Sequence, residues 1–301
     1  MGSDGTVIDK RTAALSSVWS AVFLTTLKVV VGLLSGSLGI LAEAAHSGLD
    51  FIAALVTYLA VHFASKPADR EHLYGHGKVE NLSALFETLL LLVTCVWIVN
   101  ESVERLGAKD VKVDASIWAF GVMIVSIIVD VSRARMLYRA AKAHNSQALE
   151  ADALHFSTDI WSSAVVIMGL VGVKIAALNP ALAYLKKADA VAALLVAAIV
   201  IWVSLQLGYR TVMALLDSAP HGMAEQIKAK VEAIEGVMDC HAVRIRPSGP
   251  QYFVDVHVTV NGDRPLREVH ALTDRIEEAI QEITPRADVT VHPEPAEEKP
   301  S

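Results

Sequence analysis

The chain has 301 residues, of which 53% are hydrophobic, and its formal net charge is −7. The apolar fraction exceeds that of ordinary soluble domains, and an acidic chain without a basic run or an aromatic platform argues against nucleic acid as a partner. Only two cysteines are present, Cys95 in an apolar block and Cys240 in the polar C-terminal part, which argues against a disulfide framework.

In chain order, long apolar blocks come first and predict six membrane-spanning helices. The blocks cover residues 13–34, 38–64, 79–101, 115–138, 150–175 and 187–208. Each holds about 20 residues or more, enough to cross ~30 Å of hydrocarbon at ~1.5 Å per residue. The Ser-Gly-Ser segment at 35–37 predicts a tight hairpin between the first two blocks. No cleavable signal peptide is predicted, because the first block is itself long enough to span.

Lysines and arginines outside the spans predict the orientation. Six spans place both termini on one side of the membrane, and ten basic residues are expected on that side. The six expected on the opposite side are Arg105, Lys109, Lys112, Lys174, Lys186 and Lys187. Because basic residues concentrate on the cytoplasmic side, the termini are predicted to be cytoplasmic.

After Pro220 the composition becomes that of a soluble domain with the element order αββαβ. The expected helices are 222–235 and 265–284, and the expected strands are 240–246, 252–260 and 287–292. In the middle strand, apolar residues alternate with polar ones such as Asp255 and His257, which is the period of a half-buried strand. The predicted boundaries are an N-terminal tail at 1–11, a transmembrane domain at 12–208, a soluble domain at 209–293 and a disordered tail at 294–301.

Two of the apolar blocks carry a histidine followed four residues later by an aspartate: His46 with Asp50, and His155 with Asp159. On a helix this spacing puts both side chains on one face. A charge in lipid costs about 2.5 kcal/mol or more, so two matching pairs predict a shared site. Two imidazoles and two carboxylates suit tetrahedral zinc, and the carboxylates neutralise one divalent ion. The alternative is that these polar groups only satisfy one another between helices.

Two further groups of residues are candidate metal ligands. The segment after the second block contains Asp69, His72 and His76, and it is either a metal site or a solvated loop. In the C-terminal domain, His257 and His292 fall on the polar faces of their strands. Several histidines converging on one sheet face would make a metal site, whereas ordinary surface histidines are the alternative. The charged residues Lys28, Glu43, Glu87 and Asp130 lie in apolar blocks and are given no role.

Together these motifs resemble the cation diffusion facilitator family of metal/proton antiporters. The resemblance is carried by His46-Ser-Gly-Leu-Asp50, by Pro67 to Lys78, and by Asp152 to Asp159, with Leu216-Asp217 and the Ser248-Gly249-Pro250 turn in addition. It implies a six-helix membrane bundle followed by a cytoplasmic α+β domain like a metallochaperone. It also implies a homodimer in a lipid bilayer. The bilayer expected for this chain is the inner membrane of a bacterium.

The resemblance assigns ligands to three metal sites. It implies a transport site at His46, Asp50, His155 and Asp159. It implies a loop site at Asp69, His72 and His76. It implies a cytoplasmic site at His241, His257, His270, His292 and Glu294, where Glu294 replaces an aspartate of a bacterial relative. Finally, it implies an ion pair of Lys78 with Asp217 that joins the two membrane domains of the dimer.

The identity of the first transport-site residue predicts the metal. Bacterial relatives often have aspartate there, whereas this chain has His46, as in the family's eukaryotic zinc transporters. An imidazole makes the site softer and favours zinc over manganese, iron or magnesium, with Cd²⁺ or Co²⁺ as alternative substrates. The predicted function is zinc export, without enzymatic activity. Export is predicted to be coupled to proton entry because protons compete with zinc for His46 and His155.

Two other classes of protein fit part of the pattern. A membrane metalloenzyme would need an open ligand position and a general base, and the protease signature His-Glu-x-x-His is absent from the sequence. A membrane-embedded metal sensor without transport would use the C-terminal sites instead.

Overall fold

The computed structural model describes residues 8–107, 117–178 and 188–296. It divides into two compact units, one at residues 1–211 and one at 212–301. Several predicted features lie outside the described residues: residues 1–7 of the N-terminal tail, residues 297–301 of the C-terminal tail, and the lysines at 109, 112, 186 and 187.

Six long helices occupy the described part of the chain up to residue 215, four residues beyond the end of the first unit. They are α1 (Lys10–Ser35), α2 (Leu38–Ala64), α3 (Lys78–Gly107), α4 (Ile117–His144), α5 (Gln147–Leu178) and α6 (Ala188–Leu215). By length and composition, α1, α2, α3 and α6 each contain a stretch able to cross a membrane. The described parts of α4 and α5 do not meet that criterion, so the transmembrane region is established while six crossings stay a prediction.

The helices pack through small side chains. Helix α1 contacts α2 and α4, helix α5 contacts α2 and α4, and helix α3 contacts α2 and α5. One buried cluster is rich in alanine, including Ala13 on α1, Ala140 on α4 and Ala153 on α5, and small residues let helix backbones approach closely. The predicted hairpin between α1 and α2 is present: Gly36 adopts φ 65° and the Ser37 side chain caps α2.

A two-residue turn joins α4 to α5, and both helices extend further than the sequence predicted. Helix α4 ends at His144, and α5 begins at Gln147. The intervening Asn145 has φ 52°, a left-handed conformation that asparagine tolerates. The basic stretch near Arg139 is therefore helical, and it is not a loop.

The C-terminal unit has the predicted αββαβ order. Its elements are α7 (Met223–Glu232), β1 (Asp239–Ser248), β2 (Gln251–Val260), α8 (Leu266–Ile283) and β3 (Ala287–Pro295). Strand β2 is central, antiparallel to β1 and parallel to β3. Both helices pack on one sheet face, where Ile227 and Ile276 meet valines of β2 such as Val256. The residues that alternate with those valines lie on the other face.

The predicted end of the last strand was wrong. Strand β3 continues to Pro295, three residues beyond the expected end, and pairs with β2 along its whole length. Glu294 thus belongs to the sheet, opposite Thr259, and the predicted disordered tail does not begin at residue 294. The Pro- and Glu-rich composition misled the prediction because the backbone pairing with β2 outweighs it.

Candidate metal centre

Helices α2 and α5 bring the two His-x-x-x-Asp pairs together. Nε2 of His155 lies 3.1 Å from Oδ1 of Asp50 and 3.8 Å from Oδ2 of Asp159. Nε2 of His46 lies 3.9 Å from Oδ1 of Asp50 and 4.0 Å from Oδ1 of Asp159. Each imidazole therefore faces the carboxylate of its own helix and that of the neighbouring helix. We call these four residues the quartet.

The quartet is buried in the bundle, and its members differ in exposure. The side chains of His155 and Asp50 are 6% and 12% exposed, and those of Asp159 and His46 are 19% and 28% exposed. Donor atoms of Asp50, His155 and Asp159 lie within 4.8 Å of one another. His46 is the fourth member and lies on the more exposed side of the group. The centroids of the His46 and Trp97 rings are 6.2 Å apart. Two imidazole nitrogens and two carboxylates thus converge, which is a donor set that zinc accepts.

A buried polar network supports α5 one turn before His155. Arg133 of α4 donates to the hydroxyl of Ser17 over 2.9 Å, and that hydroxyl donates to Asp152 over 2.9 Å. The Arg133 guanidinium also lies 3.8 Å from Asp130 and 3.4 Å from the centre of the Phe156 ring. No role was predicted from the sequence for Arg133 or Asp152, although the position of Asp152 three residues before His155 could have indicated one.

A second charged contact fastens α1 to α2 beside the quartet. Nζ of Lys28 donates to Oγ of Ser47 over 2.7 Å, and it lies 3.4 Å from Oε2 of Glu43. Ser47 directly follows His46, so this contact fixes the helical turn that carries the first histidine. Two of the intramembrane charges left without a role in the sequence thus have a structural one.

The loop between α2 and α3 gathers Asp69, His72 and His76. Nδ1 of His72 and Nε2 of His76 each lie 3.3 Å from a different oxygen of Asp69. The pKa of Asp69 is lowered, chiefly because its carboxylate accepts the backbone N–H of His72. Gly75, directly before His76, adopts φ 74°, a left-handed backbone conformation that favours glycine. These groups can hold a cation at the surface of the helical unit.

Three histidines form a row across the open face of the sheet. His241 of β1 and His292 of β3 are both direct neighbours of His257 on β2. Glu294 lies beside this row: its carboxylate is 2.8 Å from Nδ1 of His257, 3.2 Å from Nε2 of His241 and 3.7 Å from Nε2 of His292. The contact with His257 lowers the pKa of Glu294. The arrangement forms a candidate metal site on the open face.

His270 does not join that row within one chain. It lies on α8, with its side chain 77% exposed and 3.9 Å from Asp274. Helix α8 covers the face of the sheet opposite to the histidine row, so the thickness of the sheet separates His270 from Glu294. The ligand set expected from the resemblance is therefore incomplete in this structure of a single chain.

The two residues of the expected intersubunit ion pair lie at helix ends. Lys78 is the first residue of α3. Asp217 lies two residues after the end of α6 and adopts φ 59°. Their pairing across a dimer stays a prediction.

Comparison with known proteins assigns the family. The family model of the cation efflux transmembrane domain matches residues 14–216, and that of the cation efflux protein cytoplasmic domain matches residues 219–296. The chain belongs to the cation efflux, or cation diffusion facilitator, family. The resemblance seen in the sequence is thus confirmed, as are a helical transmembrane region and a small C-terminal α/β domain. Because the cation efflux transmembrane domain covers residues 14–216, the protein is an integral membrane protein.

Relatives within the cation efflux family align over almost the whole chain. The cation-efflux pump FieF of Yersinia enterocolitica is 31% identical over 290 residues, covering 95% of this chain and 92% of the relative. FieF of Salmonella choleraesuis is 29% identical and covers 97% and 94%. Among solved structures, the zinc form of CzrB is 30% identical, covering 28% of this chain and 98% of that chain, with a TM-score of 0.26. The metal-bound C-terminal domain of the CzcD transporter from Thermotoga maritima is 34% identical, covering 24% and 86%, with a TM-score of 0.23.

Proposed function

We propose that this protein exports divalent metal cations, with zinc as its preferred substrate, in exchange for protons. Membership of the cation efflux family supports a transporter and not an enzyme, and the FieF relatives are named cation-efflux pumps. The observation that carries the proposal is the convergence of two imidazoles and two carboxylates from α2 and α5 inside the bundle. One divalent ion would neutralise Asp50 and Asp159, which offsets the cost of burying either charge.

The preference for zinc rests on the chemistry of the donors. Zinc takes four nitrogen and oxygen ligands in a tetrahedron, whereas magnesium requires six oxygen ligands in an octahedron. The quartet offers two nitrogens, from His46 and His155, and carboxylate oxygens on the remaining sides. Cd²⁺ and Co²⁺ accept similar donors, so we propose them as alternative substrates.

Exchange for protons follows from competition at the same atoms. Zinc binds neutral imidazoles and ionised carboxylates, so loading the quartet with metal releases protons, and protonation releases the metal. We propose that all six long helices cross the membrane and that both termini face the cytoplasm of a bacterium. A single site that opens alternately to the two sides then couples outward zinc movement to inward proton movement.

We further propose that the protein works as a homodimer with zinc at its loop and sheet sites. The Lys78–Asp217 pair would join two membrane domains. The row of His241, His257 and His292 with Glu294 would bind zinc on the cytoplasmic side, and there it would modulate transport. A function as a sensor alone is the second candidate, because His241, His257 and Glu294 form a cluster of donors outside the bundle.

Zinc uptake into proteoliposomes under an imposed pH gradient tests the proposal. We expect flux from the unmodified protein and a loss of at least about tenfold in Asp50→Asn and in Asp159→Asn, because each removes a charged ligand. Asp263→Asn, in an exposed turn of the C-terminal unit, is the matched control and should transport normally. Normal flux in both quartet variants would contradict the site.

The double variant His241→Ala/His257→Ala distinguishes a transporter that the sheet site modulates from a protein that is only a sensor. A transporter modulated by the sheet site keeps its flux at saturating zinc in this variant, with a shifted dependence on zinc concentration. Absence of flux from the unmodified protein in every metal gradient would favour a pure sensor.

A further inference from the structure

Four polar contacts link two groups of helix ends at the end of the bundle that contains the α4–α5 turn. One group is the start of α3 and the end of α6, represented by Glu80, Asn81 and Arg210. The other group is the start of α1, the α4–α5 turn and the start of α5, represented by Lys10, Ser146, Gln147 and Glu150. We call these seven residues the Glu80 latch.

Glu80 makes the two central contacts, and its side chain is completely buried. The ammonium group of Lys10 donates to Oε1 of Glu80 over 2.7 Å, and the hydroxyl of Ser146 donates to Oε2. Both carboxylate oxygens are therefore satisfied by partners from the other group of helix ends. A buried carboxylate held in this way loses much of its stabilisation when either partner moves away.

Two further contacts flank Glu80 and connect the same two groups. The amide of Asn81 donates to Oε1 of Gln147 over 2.8 Å. The guanidinium of Arg210 pairs with the carboxylate of Glu150 at a more exposed position. All four contacts join α3 or α6 to α1, the α4–α5 turn or α5, so separation of the two groups would break them together.

The layer between the latch and the quartet excludes solvent. Ser83 and Ala84 on α3, and Ala151 and Asp152 on α5, are 0–4% exposed. On α5, eight residues or ~12 Å separate Gln147 from His155. The quartet side chains are themselves up to 28% exposed, so the structure is closed at the latch end while the quartet keeps some exposure.

We propose that the Glu80 latch is the gate that closes the path from the α4–α5 end to the quartet, and that it must open for a cation to pass at this end. This inference rests on the proposed transport function and adds residues to it. The latch is a two-state element: its charges are paired when the helix ends meet, and water hydrates them when the ends part. Opening therefore does not leave a buried charge without a partner.

Accessibility of a cysteine at Ser83 tests the gate without requiring transport. Ser83 lies one turn beyond Glu80, is buried and has a hydroxyl without a hydrogen-bond partner among the described residues, so Ser83→Cys is a conservative reporter. It is introduced into the full-length protein carrying Cys95→Ser and Cys240→Ser. The measurement is the rate of labelling by a charged maleimide.

We expect slow labelling of the reporter protein and labelling about tenfold faster, or more, when Glu80→Gln or Lys10→Met is added, because each removes one partner of a buried ion pair. Lys10→Arg keeps the cation and should label slowly. Glu282→Gln, which removes an exposed ion pair with Lys230 in the C-terminal unit, is the matched acidic control and should also label slowly.

A second reporter separates opening of the gate from general loosening. Ser126→Cys, which is buried on α4 about 27 Å along the helix from His144, should stay slow in Glu80→Gln and Lys10→Met. Equal acceleration at both reporters, or unchanged labelling at Ser83→Cys in both variants, would overturn the gate. If the unmodified protein does not transport zinc but the labelling pattern is as expected, the gate is supported and the proposed transport function is contradicted. If it transports zinc but labelling of Ser83→Cys is unchanged in Glu80→Gln and Lys10→Met, only the gate is contradicted.

Discussion

At the scale of single residues, we expect His46 to have the most influence on which metal the proposed transport site selects. It is the most exposed of the four side chains, and its Nε2 faces both carboxylates at 3.9 and 4.0 Å. The other three donors already lie within 4.8 Å of one another. The residue at position 46 therefore determines whether the fourth donor is a nitrogen or an oxygen.

Replacing His46 with aspartate should change the metal preference. His46→Asp adds a hard oxygen donor and a third negative charge, so we expect zinc affinity to fall by about tenfold and Mn²⁺ binding to strengthen. Isothermal titration with Zn²⁺ and Mn²⁺ measures both changes in a protein whose loop and sheet sites are removed by His72→Ala/His76→Ala/His241→Ala/His257→Ala. His221→Asp, at an exposed position before α7, introduces the same charge elsewhere and should leave both affinities unchanged. An unaltered ratio of zinc to manganese affinity in His46→Asp would show that His46 is not a ligand.

Much of the quartet could be predicted from the sequence because its geometry is local. A four-residue spacing on a helix fixes the relative direction of His155 and Asp159 before any tertiary contact forms. The cost of isolated charges in lipid then requires the two pairs to meet. The latch had no comparable local signal: Lys10 and Glu80 are 70 residues apart, and their pairing depends on how whole helices pack.

At the scale of secondary-structure elements, the sheet shows where pattern-based prediction stops. Alternation in β2 correctly predicted that Val256 is buried and that His257 lies on the opposite face. In β1 the register shifts between His241 and Arg244, and Ala242 adopts φ 48°. This bulge reverses the alternation, so that His241 faces the histidine row while Ile245 still reaches the core. Such an insertion leaves no period in the sequence to detect.

Helix α8 should stabilise the C-terminal unit through its apolar face. Ile276 is fully buried against the sheet, so Ile276→Ala should cost about 2–5 kcal/mol of stability. Thermal unfolding of the full-length protein measures the loss as a lower transition temperature of this unit. Leu266→Ala, at a position 82% exposed on the same helix, is the control and should leave that temperature nearly unchanged. Equal transition temperatures in the two variants would show that Ile276 does not anchor α8.

At the scale of the whole molecule, the proposed transport cycle links the quartet to the Glu80 latch. In the proposed cycle, the quartet selects the ion that is transported, and the latch controls when that ion can pass at one end. The latch contacts join α3 and α6 to α1, the α4–α5 turn and α5, and separation of these two groups would open the path. Movement of the two groups of helices relative to each other is therefore the expected coordinate of transport.

Competition between zinc and protons should appear in equilibrium binding. Because the quartet must lose protons to bind metal, we expect zinc affinity to fall by about tenfold or more between pH 7.5 and pH 6.0. Isothermal titration in buffers of different ionisation enthalpy measures both the affinity and the protons released. The variant His72→Ala/His76→Ala/His241→Ala/His257→Ala removes binding at the loop and sheet sites and isolates the contribution of the bundle. A zinc affinity that does not depend on pH in this variant would contradict the proposed exchange.

The most direct measurement is a structure of the full-length protein bound to zinc, with the metal located by anomalous scattering at the zinc edge. The expected result is one ion inside the bundle, held by Nε2 of His46 and of His155 and by one oxygen each of Asp50 and Asp159, at about 2.0–2.2 Å. A zinc-loaded protein whose quartet binds no metal, with the four side chains turned towards separate partners, would contradict the central claim.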